Sequence, residues 1–195
     1  MDSDHLLSIF RDSRALLEGH FQLTSGLHSD RYFQCAKVLQ FPHYTELLCG
    51  EIAAQFRAAS LDVVIAPALG GIVVGQEVGR QLRVRTLFAE RKEKVMQLRR
   101  GFHIEPGERV LVCEDVVTTG GSVMEVIEIV TGLGGIVAGA AFIVDRSGGK
   151  VRFSLAPGGK QYSLMQMDAV AFPPERCPLC EQGVPLVKPG SRGNA

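Results

Sequence analysis

Apolar residues recur along this chain with two different periods, and the alternation between them outlines a fold. From Asp4 to Glu18 the residues Leu6, Leu7, Phe10, Leu16 and Leu17 predict one apolar side of a helix, with Gly19 as its stop. From His20 to Ala36 the residues alternate about a Ser25-Gly26 turn, which predicts a hairpin-like segment outside any main sheet. Leu47, Leu48, Ile52 and Phe56 then predict a helix over Thr45–Ala59. Next come a strand over Leu61–Ala66, a loop at Pro67–Gly71, a helix over Ile72–Leu82 and a strand over Arg85–Ala89. Glu90–Gly101 is highly charged and shows no clean period, and Pro106-Gly107 turns the chain into another strand.

That strand is the centre of the pattern. Val110, Leu111, Val112 and Cys113 form a short apolar run, as expected of a parallel strand buried on both faces. Val123, Val126, Ile127 and Val130 continue at helical spacing, and Ile136–Val144 reads as the next strand, ending in Asp145-Arg146. Strand and helix alternate throughout Thr45–Val144. This implies an α/β fold with a twisted, mainly parallel sheet flanked by helices. In such sheets ligands bind beyond the carboxyl ends of the strands.

Between the central strand and its helix lie Glu114, Asp115, Val116, Val117, Thr118, Thr119, Gly120, Gly121 and Ser122. The two glycines allow backbone N–H groups to converge where the helix begins, and a helix N-terminus favours anions, phosphate above all. The three hydroxyls add donors. No G-K-[ST] follows, so this is not a triphosphate-gripping loop. Two carboxylates beside a phosphate cradle repel the ligand unless something separates them, and a ribose does so. Its 2′ and 3′ hydroxyls donate to Glu114 and Asp115 while its 5′-phosphate rests on the Thr118–Ser122 loop.

Charge and composition narrow the class further. Lys and Arg total 21 against 21 Asp and Glu, which supplies no general attraction to nucleic acid or to an anionic membrane. The apolar stretches Val63–Gly75 and Gly132–Val144 are too short and too rich in glycine to span a bilayer. An acidic start, M-D-S-D-H, speaks against a signal peptide. Five cysteines, with Cys35, Cys49 and Cys113 in core-like segments, suit a reducing cytoplasm. The last residues, G-S-R-G-N-A, read as frayed.

Other positions carry candidate chemistry. Ala68, Leu69, Gly70 and Gly71 follow a strand and precede a helix, making a second anion loop. Arg91, Lys92, Lys94, Arg99 and Arg100 crowd the charged segment, with Arg91 and Lys92 at a strand end. A charge run is ordinarily a solvated face, but such a segment can fold over an anionic substrate and exclude water. Arg146 stands past a strand end, placed either to grip a planar carboxylate or to pair with Asp145. Cys177-Pro-Leu-Cys180 is half of a zinc knuckle with no second pair nearby in sequence, and reads as a tight turn with reduced thiols. His20 and His28 read as structural histidines.

The stretch Arg109–Val123 closely resembles the phosphoribosyl diphosphate (PRPP) signature of the type I phosphoribosyltransferases. More of the chain is similar to one family among them, the bacterial orotate phosphoribosyltransferases. The segments concerned are Gly19–Ala36, Ala66–Ile72, Phe88–Arg91, Leu98–Phe102, Asp145-Arg146 and the tail Cys177–Arg192. The resemblance implies one domain over residues 1–195. It would have a core of about 45–150 and a small hood built from N- and C-terminal segments, about 1–40 and 160–188.

It further implies a Mg²⁺-dependent homodimer, with the loop 90–100 shared across the interface, that joins PRPP and orotate. Glu114 to Ser122, Arg91 and Lys92 would bind PRPP, and Ala68–Gly71 would hold the diphosphate. Thr118, Arg146, Ser25, Gly26, Tyr32 and Phe33 would contact orotate. Glu114, Asp115, Arg91, Lys92 and Lys94 would be catalytic. The chain departs from the family's best-known members at Thr24 and Gly70, where those carry lysine, and its loop is shorter and lacks K-x-H. Arg91, Lys92 and Lys94 then carry more of the diphosphate neutralisation. Two other readings compete: a PRPP- or nucleotide-sensing regulator that kept the fold without the chemistry, and a transferase for a purine.

Overall fold

The computed structural model describes residues 1–23, 26–167 and 171–189. In chain order the elements are α1 (Ser3–Asp12), β1 (Leu16–Gln22), β2 (His28–Phe33), α2 (Ala36–Leu39), α3 (Pro42–Phe56), β3 (Val63–Pro67) and α4 (Gly70–Leu82). Then follow β4 (Arg85–Lys92), β5 (Val95–Leu98), β6 (Arg109–Val117), α5 (Gly121–Gly132), β7 (Ile136–Asp145), β8 (Lys160–Gln166) and the short α6 (Pro178–Glu181). The chain forms two compact units, one of residues 41–167 and one of 1–40 with 168–195. Thr24, Ser25, Asp168–Val170 and residues 190–195 lie outside the described residues. So do the expected frayed end and Gly190–Arg192 of the tail.

The larger unit is a six-stranded sheet in the order β5-β4-β3-β6-β7-β8, parallel except for the β4–β5 pair. β6 lies between β3 and β7, in register at Val63↔Val110 and Val110↔Val137. Its residues Val110–Cys113 are fully buried, each apolar side chain contributing about 1.5–3 kcal/mol. Alternation decides which face each serves. Val63, Ile65, Val110 and Val112 pack with Val123, Val126, Ile127 and Val130 of α5. On the other face Ala66 sits against Gly75 of α4, and Leu111 and Phe56 of α3 close around Gly139.

Two expectations for this unit change. Lys160–Gln166 was expected in the hood, but it is an edge strand beside β7, in register at Asp145↔Gln166. Its residues are half-exposed, as an edge strand with one free side requires, and that blurs the apolar signal. The charged segment 90–101 is not aperiodic. β4 runs on to Lys92, turns through Glu93-Lys94 and returns as β5, pairing Ala89↔Leu98 and Lys92↔Val95. Glu93 (φ 52°) and Lys94 (φ 70°) both take the left-handed conformation of a two-residue hairpin turn, usually filled by Asn and Gly.

In the smaller unit, α1 buries Leu6, Ile9 and Phe10, and Asp2 caps it by accepting from His5 N at 2.8 Å. The helix stops at Asp12 rather than Glu18. Arg14 turns left-handed (φ 54°), and Leu16 and Leu17 begin β1 instead of extending the helical stripe. Gly19 is therefore a strand residue and not a helix stop. β1 and β2 form the expected antiparallel hairpin, a sheet of two strands with a register shift between Glu18 and Phe21. The tail is laced onto this hairpin. Phe172 and His28 exchange two backbone hydrogen bonds of 2.8 Å, and Val187 bonds to His20 O and Gln22 N at 2.8 Å.

Candidate active site

The site is assembled at the carboxyl end of β6. The strand does not end at the acids as expected. Glu114 pairs with Phe142 and Val116 with Val144, so both acids belong to the ladder and β6 continues to Val117. Glu114 is buried, and that burial pushes its carboxyl well above the usual carboxylate range. The neighbouring charge of Asp115 and a hydrogen bond between the two side chains push the same way. Burial beside a second acid thus disfavours the ionised form of Glu114.

After Val117 the chain turns through Thr118 and Thr119, both exposed, to Gly120. Gly120 has φ 80°, and a Cβ there would come within 2.7 Å of Val151 and 3.0 Å of Phe153. Only glycine meets both demands. No side chain caps α5, and its first internal bond is Met124 N to Gly120 O. The N–H groups of Gly121, Ser122 and Val123 thus have no acceptor within the helix. They line a pocket of about 230 Å³ together with Arg91, Glu114, Val116–Gly120 and Glu125. Donors at a positive helix end on one wall and carboxylates on another suit a sugar phosphate.

The loop after β3 passes hard against the acids. A Cβ on Gly70 would run into the Asp115 carboxylate, and one on Gly71 would lie 2.8 Å from Glu114 Oε1. Both expected anion loops therefore converge on one acid couple. Glycine at 70 also explains the absence of a lysine there, since with this backbone any side chain would displace Asp115.

The cations divide sharply. Arg91 donates to both Glu125 oxygens at 2.8 Å and to Lys94 O at 2.9 Å, on the pocket wall. Arg99 and Arg100 are bound by Glu90 at 2.9–3.3 Å. Lys92 precedes the hairpin turn and Lys94 lies in it, both exposed and without an ion pair among the described residues. Arg146 is held by its backbone N–H to Val117 O at 2.8 Å, at the start of the Thr118 loop. Asp145 accepts from Ser147 N at 2.8 Å and from Ser147 Oγ at 2.6 Å.

Of the residues expected to contact a base, Ser25 lies outside the described residues. Gly26 takes φ 84° in the hairpin turn, and Tyr32 donates to Gln34 Oε1 at 3.2 Å. Phe33 is 6% exposed with its ring 4.7 Å from that of Phe10, which makes it a core residue of its unit rather than a surface contact. Glu125 escaped the sequence reading. Its signal was its spacing: four residues after Gly121, it stands one helical turn above the anion-binding end. No helix among the described residues is long and apolar enough to cross a membrane.

Fold and site together define a phosphoribosyl-transferring class, and comparison with known proteins agrees. Residues 43–154 match the family described as "Phosphoribosyl transferase domain". The orotate phosphoribosyltransferase of Chlorobaculum parvum is 59% identical over 195 residues, covering 100% of this chain and 99% of its own. Among solved structures, orotate phosphoribosyltransferase from Aeropyrum pernix superposes with a TM-score of 0.67 at 27% identity, over 83% of this chain and 93% of that one. Adenine phosphoribosyltransferase from Rhodothermus marinus gives 0.68 at 20% identity, over 85% and 100%, which marks the fold alone. The chain belongs to the phosphoribosyltransferase family, and by its full-length likeness to the orotate phosphoribosyltransferases within it.

Proposed function

We propose that the protein transfers 5-phosphoribosyl from PRPP to N1 of orotate, forming orotidine 5′-phosphate and diphosphate in pyrimidine biosynthesis. The observation that carries this reading is the acid couple Glu114–Asp115 at the end of β6, of which Glu114 lines the pocket at the uncapped start of α5. As the C1–O bond to diphosphate breaks and N1 bonds to C1, positive charge develops on the ribose. The couple's negative charge favours it, while Thr118–Ser122 hold the 5′-phosphate still. Lys92 and Lys94 take up charge on the departing diphosphate beside the Ala68–Gly71 loop, with Arg91 as a fixed wall of the pocket. Thr118 and Arg146, the latter bonded through its backbone N–H to Val117 O at the end of β6, orient the base, and Arg146 supplies a planar fork for the orotate carboxylate.

Mg²⁺ suits this donor set. The pocket offers carboxylate and hydroxyl oxygens, and the one group of three or more His, Cys, Asp and Glu ligands among the described residues lies elsewhere. The ion would be held mainly by substrate oxygens and water and would neutralise diphosphate charge. The working form is a cytoplasmic homodimer in which the 90–100 hairpin is shared across the interface. The 57% exposure of Val95 at its turn supports this, as does the buried, reduced state of Cys35, Cys49 and Cys113.

A panel of orotate, adenine, guanine and hypoxanthine with PRPP and Mg²⁺ tests the reading. Diphosphate and nucleotide should form with orotate alone. Turnover of a purine only, or of nothing, would replace it with the purine-transferase or the sensor.

A further inference from the structure

The fold gathers four residues that sequence spacing keeps apart. His20 lies in β1, His28 opens β2, Cys177 precedes α6 and Cys180 lies within it. His20 Nε2 is 2.9 Å from His28 Nδ1, 3.5 Å from Cys177 Sγ and 3.7 Å from Cys180 Sγ, and Cys180 Sγ is 3.3 Å from His28 Nδ1. All four ligand atoms lie within 4.8 Å of one another. This corrects the reading of Cys177–Cys180 as a lone half-knuckle: its second pair comes from the hairpin, more than 140 residues upstream.

We propose that His20 Nε2, His28 Nδ1, Cys177 Sγ and Cys180 Sγ bind a structural Zn²⁺ that staples the C-terminal segment to the N-terminal hairpin. Nitrogen at 2.0–2.1 Å and sulfur at 2.3 Å from a tetrahedral zinc stand about 3.3–3.8 Å from each other, and the gathered contacts cluster about that range. The His–His contact is the short one and opens by a few tenths of an ångström on binding. Two thiolates and two imidazoles are a soft set that selects zinc over magnesium, so the site is chemically separate from the transfer reaction. None of the four residues lines the α5 pocket.

Two independent features mark the cluster as a built site. His20 Nδ1 lies 2.8 Å from Val184 O, an outer contact that places the proton on Nδ1 and leaves the Nε2 lone pair facing the other three ligands. His20, His28 and Cys177 are 2%, 5% and 1% exposed, whereas Cys180 is at the surface and closes the site. The second feature is what else holds the tail. Among residues 171–189, Cys177 alone is buried, and Leu186 and Val187 are 45% and 51% exposed. A segment that fully buries no apolar side chain besides a cluster cysteine relies heavily on backbone bonds and this cluster to fix it. In that setting small folds use a metal.

The test uses the full-length chain, expressed with added zinc and purified under reducing conditions without chelator. Mass-spectrometric metal analysis should find one zinc per chain in the wild type and none in the Cys177→Ser/Cys180→Ser double variant. Wild-type protein reloaded with Co²⁺ should show a thiolate charge-transfer band and the intense visible bands of a tetrahedral ion. Cys180→Ser, a change at the surface, should weaken the first. Chelation of the wild type should expose 171–189 to limited proteolysis, a readout that needs no mutant to fold. Wild type without stoichiometric zinc, zinc retained by the double variant, or an octahedral Co²⁺ spectrum would each overturn the proposal.

Discussion

Arg91 and Glu125 form a bidentate pair, two hydrogen bonds of 2.8 Å, on the wall of the pocket that the α5 N-terminus opens. The pair joins the end of β4 to the helix carrying the anion cradle. Its side chains are 44% and 36% exposed, so solvent screening leaves it little weight in stability. On the proposed function, it holds a guanidinium at a fixed place beside the polyanionic substrate. Arg91→Ala should lower kcat/KM for PRPP by roughly tenfold to a hundredfold, the equivalent of about 1.5–3 kcal/mol for a charge-assisted bond. The melting temperature should hardly move. Steady-state kinetics against PRPP, beside a thermal melt, check both halves.

The acid couple predicts a division of labour. Asp115→Asn should leave the fold intact and remove most turnover, because it replaces one carboxyl of the proposed ribose-binding couple with a neutral amide. Near-normal diphosphate release in that variant would show that the ribose does not sit there.

Glu114 gives a pH signature. Its carboxyl is raised in the folded protein, so folded chains hold a proton that unfolded chains release. Its contribution is fully present below the ordinary glutamate pKa and is lost as pH rises from there through its own raised value. Glu114→Gln, which keeps the hydrogen-bonding shape without the ionisation, should remove that loss. The melting temperature of the variant relative to wild type should therefore climb as pH rises across this window. A difference independent of pH would mean that Glu114 ionises normally.

Gly120→Ala forces a Cβ into the left-handed region at a cost of roughly 1–2 kcal/mol, and it also presses on Val151 and Phe153. In a chain of this length that should lower the melting temperature by at least about 2–8 °C. The KM for PRPP should rise as the cradle shifts. Gly121→Ala, where a Cβ meets only Thr119 Oγ1 at 3.9 Å, is the control and should do far less to stability.

Arg146 is anchored at the end of β6 by its own backbone. Arg146→Ala should raise the KM for orotate by about tenfold to a hundredfold, the worth of one charge-assisted contact, and should leave the KM for PRPP nearly unchanged. An unaltered orotate KM would take Arg146 out of the base site.

Local patterns carried much of this protein unaided. The apolar run Val110–Cys113, the acids that follow it and the Thr-Thr-Gly-Gly-Ser turn make a buried strand, a carboxylate couple and an uncapped helix start from neighbouring residues, so no distant contact had to be known. The same holds for the hairpin about residue 26 and for the alternation of strands and helices between Thr45 and Val144. What escaped depends on neighbours far along the chain. Lys160–Gln166 becomes a strand because β7 offers it an open edge, and Lys92–Val95 becomes a hairpin because the sheet carries β4 past its apolar end. Glu125 gains a role only when Arg91 reaches it across 34 positions. His20 and Cys177, 157 residues apart, face one another only because the tail pairs with the hairpin. Chemistry written within one turn of chain follows from the residues themselves, whereas chemistry shared between segments exists only once folding has brought their side chains within bonding distance.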